Sequence, residues 1–72
     1  MRETVYKGRT IRAMSFRVYP GAWMPEARVL SINKSLRAKS LFPSQELADA
    51  AALLMGKRWI DSVSNEFQRH AR

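Results

Sequence analysis

The apolar residues of this chain change their spacing once, at Pro43-Ser44, from every second position to every third or fourth. A period of two belongs to a half-buried strand and a period of 3.6 to a helix lying on a core, so the chain must build its sheet first and cover it with a helix afterwards. Thr10 to Tyr19 alternates most cleanly, with Met14, Phe16 and Val18 on one side and Ala13, Ser15 and Arg17 on the other. That phase assigns the first set to the core. Thr4 to Lys7 is either a short strand or the start of the same one, with Gly8 supplying a bend or bulge. Tyr19-Pro20-Gly21-Ala22 fits a type II turn, because Pro presets φ at the second position and Gly permits a positive φ at the third. A second strand then runs from Glu26 to Ile32, after Pro25, which is tolerated at a strand start. Asn33-Lys34 makes a tight turn, and Ser35 to Phe42 forms a third strand with Leu36, Ala38 and Phe42 inward.

Pro43 breaks the last strand and Ser44 offers an N-cap, with Gln45, Glu46 and Asp49 in the first turns, where the helix dipole favours negative charge. Ala48, Ala51, Ala52, Met55, Trp59, Val63 and Phe67 then mark one helical face. Gly56 either allows close backbone approach or ends the first helical segment. The expected architecture is a single α+β domain over residues 1–72, a three-stranded antiparallel sheet packed on one C-terminal helix in the order β-β-β-α. Its strands lie within 4–42, its helix spans about 44 to 67, and 68–72 form a frayed tail. The expected core is Phe16, Leu36, Phe42, Leu47, Ala51, Met55 and Trp59.

Charge divides at the same point. Residues 1–43 carry nine cations and two acids, a net +7, whereas residues 44–72 carry four of each and are neutral. A segregated field of this kind attracts polyanions. With 72 residues the chain buries roughly 60 to 65% of its unfolded surface, so its core is thin and a partner chain would help it. The absence of cysteine excludes a disulfide framework and thiolate metal sites and suits a reducing cytosol. Neither a secretory leader nor a membrane span is legible, so the expectation is a cytoplasmic protein with no membrane partner.

Enzymatic chemistry finds no anchor. His70, the one histidine, falls in the expected tail and reads as a solvated surface group; Glu46 and Asp49 are accounted for by a helix N-terminus. No glycine-rich phosphate loop or ligand cluster calls for a cofactor, a metal or a small-molecule substrate. The basic strands say more. Alternation sends Arg17, Arg37 and Lys39 to the face away from the helix, where Arg28 can join them. Together with Lys34 they are expected phosphate contacts of a nucleic-acid-binding module, with Trp23 as a stacking or base-edge contact. The bland reading is a solvated face that keeps the sheet soluble, with Trp23 and Tyr19 closing the end of the core. Leu30, Ile32 and Leu41 interrupt the basic face with an apolar patch, so either a bulge rotates the second strand or a second subunit covers them. The alternative function is therefore a homodimeric protein-interaction or structural module.

Two resemblances rest on these residues. Trp23-Met24-Pro25-Glu26-Ala27-Arg28, followed by Phe42-Pro43-Ser44-Gln45-Glu46-Leu47-Ala48, resembles the W-x-x-E-x-R strand and F-x-T-x-E-x-A helix start of AP2-type DNA-binding domains, and Tyr6-Lys7-Gly8 resembles their opening Y-R-G. That likeness implies a sheet lying in the major groove with Trp23, Glu26 and Arg28 at the DNA. The chain differs from the pattern in a longer first hairpin, in lacking the arginine cluster of the first strand, and in Ala38, where a tryptophan is usual. Tyr6-x-Gly8 at the start and Ala48, Ala51, Ala52, Lys57 and Trp59-Ile60-Asp61 near the end are similar to a group of short bacterial β-β-β-α proteins. This second likeness implies the fold and brings no activity with it.

Overall fold

A computed structural model describes the backbone of residues 2–70 and the side-chain surroundings of residues 2–63. Its elements, in order, are β1 (Arg2–Tyr6), β2 (Arg9–Ala13), β3 (Phe16–Tyr19), β4 (Ala22–Met24), β5 (Glu26–Val29), a 3-10 turn (Leu30–Ile32), β6 (Lys34–Arg37) and α1 (Gln45–His70). The class is α+β, with one C-terminal helix packed on an antiparallel sheet. The sheet has four strands where three were expected, in the order β1-β2-β5-β6, and β3 and β4 form a separate two-stranded hairpin.

The additional strand follows from the Lys7-Gly8 loop. Both residues take positive φ, 51° and 78°, which is the requirement of the type I′ turn that closes a tight hairpin. Tyr6 therefore faces Arg9, and β1 pairs with β2 along its whole length. The strand expected from Thr10 to Tyr19 is split in two. Met14 still donates its N–H to the Glu26 carbonyl at 2.7 Å, but the next position along β5 is the buried Pro25, which has no N–H to continue the ladder. The chain leaves the sheet there and re-pairs as β3 with β4.

This split inverts the expected phase. Ile11 and Ala13 are buried, and so is Ser15, whereas Phe16 and Val18, assigned to the core from sequence, are exposed. Ile11 faces Val29 and Ala13 faces Ala27 across β2 and β5, and Ala48, Ala52 and Ile60 of α1 are buried as well. Leu36, Met55 and Trp59 pack against this cluster half-buried, in keeping with their expected place, while Leu47 is exposed. Small residues let the helix come close: a Cβ built on Gly56 would stand 2.7 Å from Ile11 Cγ2. Gly56 thus serves close approach and does not end the helix.

Three boundaries also differ from expectation. The strand from Glu26 stops at Val29, and Asn33, in the left-handed region at φ 54°, caps the 3-10 turn and redirects the chain into β6. The last strand stops at Arg37, although Phe42 makes an isolated bridge to Trp23. The helix begins as expected, with the Leu47 N–H donating to Ser44 Oγ at 3.2 Å, and its backbone runs to His70, through part of the expected tail. The side chains of Phe67 and His70, and residues 71 and 72, lie outside what is described. No described helix is long and apolar enough to cross a membrane.

Candidate functional site

Because α1 covers one face of the four-stranded sheet, the register alone determines which side chains line the other. Successive residues alternate faces, and directly paired residues share one. Ile11, Val29, Ala13 and Ala27 lie against the helix, so Glu3, Arg12, Arg28 and Ser35 form a row across the open face, with Glu26 and Arg37 paired beside it.

Two of the three arginines on that face already hold a carboxylate. Arg12 bonds Glu3 through Nε, and Arg37 donates to Glu26 through Nε at 3.0 Å and Nη2 at 2.7 Å. Arg28 is different. It stands directly opposite Arg12, and its Nε is shielded from solvent without an acceptor. Like charges directly opposite on neighbouring strands repel, and a shielded donor without a partner loses its hydration for nothing. An anion between Arg12 and Arg28 would relieve the repulsion.

Of the residues read from sequence as nucleic-acid contacts, Glu26, Arg28 and Arg37 come together on the open face. Lys34 does not join them: its register with Val29 puts it on the helix side, where its Nζ lies 5.8 Å from the Trp59 ring centre. Arg17 is exposed on β3, outside the four-stranded sheet, and Lys39 is exposed in the segment after β6. Trp23 is half-buried in β4, bonded backbone to backbone with Phe42 at 2.7 and 2.8 Å. The expected dimer patch is dispersed. Leu30 and the exposed Ile32 belong to the 3-10 turn before β6, and the exposed Leu41 lies beyond the other end of that strand.

Sequence reasoning missed Arg12, whose face depends on the inverted phase of β2, and Phe16, which it placed in the core. The Phe16 ring lies 5.2 Å from the Arg37 guanidinium carbon, which joins the β3–β4 hairpin to the open face. Phe16, Arg17, Val18 and Tyr19 are all exposed.

A second polar cluster lies at the opposite end of β1. The Tyr6 hydroxyl is 3.0 Å from both carboxylate oxygens of Asp61, Lys7 Nζ pairs with Asp61 at 2.6 Å, and Lys7 and Lys57 approach the Tyr6 ring. The hydrogen bond to Lys7 is the main influence holding the Asp61 carboxyl below its ordinary range, and bonding to Asp61 raises both Lys7 and Tyr6. These are the residues of the Tyr-x-Gly and Trp-Ile-Asp motifs, and their contact clasps the first hairpin to α1. Beside them, Arg2, Glu3, Thr4, Ala50, Leu53 and Leu54 line an open groove along the unpaired edge of β1. Comparison with protein families, curated proteins and solved structures finds no match for this chain.

Proposed function

We propose that the protein binds nucleic acid through the open face of its sheet. The observation that carries this reading is the Arg12–Arg28 pair: two cations placed opposite each other, away from the helix, one with a shielded Nε that no protein acceptor satisfies. Arg37, Arg17 and Lys39 extend the positive field along β6 and the hairpin. A phosphate between Arg12 and Arg28 neutralises the like charges that face each other there, and each such contact releases counterions.

The test is a titration of short labelled DNA at several salt concentrations. About four phosphate contacts predict a log–log salt slope of about −3.6 on duplex and about −2.8 on a single strand. Arg28→Met separates function from folding. It removes the charge facing Arg12 and the unsatisfied donor while keeping the apolar stem, so the melting temperature should hold or rise while affinity falls several-fold. The control is Lys57→Gln with Arg58→Gln on the helix, which should change affinity little. Equal losses from the control and from Arg28→Met, or no binding at low salt, would refute the reading.

A homodimeric interaction module is the second reading. What favours it is the unpaired edge of β1 with Val5 68% and Leu54 49% exposed nearby, more than the dispersed Leu30, Ile32 and Leu41. Sedimentation equilibrium showing a monomer at high micromolar concentration would exclude it.

A further inference from the structure

Three large apolar side chains in one four-residue strand face water: Phe16 is 37%, Val18 46% and Tyr19 56% exposed. Folding does not require this surface, because the core is built from Ile11, Val29, Ile60 and alanines, none of them in β3. The hairpin is held at its other strand, where Ala22 is buried and Trp23 is bonded to Phe42 on the backbone. β3 is left as a free edge. The bulge between Arg17 and Tyr19 disturbs its ladder, and the type II geometry of the Pro20-Gly21 turn, with Gly21 at φ 79°, matches strand twist less well than the primed turns do.

Resting on the nucleic-acid reading above, we infer that the ligand is single-stranded, its bases stacking on Phe16 and Tyr19 while its phosphates run over Arg37, Arg28 and Arg12. In a duplex each base is already stacked between its neighbours and shows only edges in the grooves, so aromatic faces gain nothing from it. An unpaired base has a free face, and stacking it on an aromatic side chain is the usual device of sequence-tolerant single-strand binders. The structure also places the two kinds of group side by side. Arg37 touches the Phe16 ring and is anchored by two bonds to Glu26, so it marks the point where a strand passes from the aromatic hairpin to the arginine row. Arg17 and Lys39, both exposed and without a carboxylate partner among the described residues, add charge on either side.

The experiment compares labelled oligothymidylate of twenty nucleotides with a twenty-base-pair duplex, using the full 72-residue chain at 0.15 M salt. The single strand should bind at least tenfold more tightly. Phe16→Ala combined with Tyr19→Ala should weaken the single strand by tenfold or more and leave the duplex nearly unchanged, while Tyr19→Phe, which keeps the ring, should bind as the parent does. Both rings are surface groups, so the melting temperature of each variant should stay within a few degrees of the parent. Equal or tighter binding of duplex, or full single-strand binding by the folded double variant, overturns this inference and leaves the broader reading standing. Failure of both probes to bind at 0.05 M salt overturns the broader reading and this one with it.

Discussion

Gly56→Ala tests the packing on which the open face depends. In an exposed helix the change stabilises by about 1 kcal/mol, through backbone entropy. Here the new Cβ would stand 2.7 Å from Ile11 Cγ2, 3.2 Å from Cδ1 and 3.4 Å from Cγ1, and Ile11 is 0% exposed. The nearest atom belongs to a β-branched side chain on a central strand, stiff at χ1, so the neighbour cannot step aside. Overpacking of this kind costs about 1 to 3 kcal/mol, which outweighs the helical gain and leaves a net loss of about 1 kcal/mol. In a domain of this size that lowers the melting temperature by about 4 to 8 °C. The decisive comparison is the same substitution in an Ile11→Ala background, where the three contacts vanish and only the helical gain remains. Gly56→Ala should then stabilise by about 1 kcal/mol, a reversal of sign and a coupling of about 2 kcal/mol. Ile11→Ala itself costs about 2 to 5 kcal/mol, so the cycle is best measured by urea unfolding with added sulfate to hold a folded baseline. Stabilisation by Gly56→Ala in the parent, or the same loss in both backgrounds, would refute the close approach of helix and sheet.

Two further outcomes follow from local contacts. Ser44→Ala should cost about 1 kcal/mol by leaving the Leu47 N–H uncapped, and Ser44→Gly only a few tenths, an order that paired thermal melts can check. The Asp61 clasp should make stability depend on pH at both ends. Asp61 is depressed, so its contribution is present above about pH 4 and fades as pH falls through its lower folded value. Lys7 and Tyr6 are raised, so theirs is present below about pH 10 and fades as pH rises through their higher folded values. Melting temperatures of parent and Asp61→Asn should therefore converge in acid and in alkali; a difference constant with pH would show that the clasp carries no linkage.

What was legible in the sequence was what a few neighbouring residues decide. The Ser44 cap needs only the N–H three positions on, and the Pro20-Gly21 turn needs only its own φ preferences; both stand where the sequence put them. The sharing of one face by Arg28 and Arg37 was legible too, because alternation runs undisturbed through β5 and β6. The phase of β2 was not. It depends on Pro25, distant in sequence, which ends the ladder on β5 and turns a seemingly continuous ten-residue alternation into two strands of different sheets. Arg12 was lost from the site and Phe16 gained by the core for that single reason.

The same error shows how this chain divides its apolar residues between folding and surface. Ranking core candidates by size favours Phe16, Phe42 and Leu47, yet the buried positions are Ala13, Ala27, Ala48 and Ala52 around Ile11, Val29 and Ile60. A helix approaching a sheet over alanines and a glycine gains close packing and excludes water with little side-chain bulk, so beyond the half-buried Leu36, Met55 and Trp59 the larger residues are not needed between the layers. They remain on β3 and at the helix surface. Leu54 shares its groove with Arg2 and Lys57, but no described residue lining that groove is aromatic, whereas Phe16 and Tyr19 are themselves rings and stand beside Arg17 and an arginine row that its own carboxylates satisfy only in part. Apolar surface alone invites any partner; apolar rings alternating with unsatisfied cations favour one that carries flat faces and negative charge in alternation, and a nucleic-acid strand with its bases unpaired is that kind of polymer.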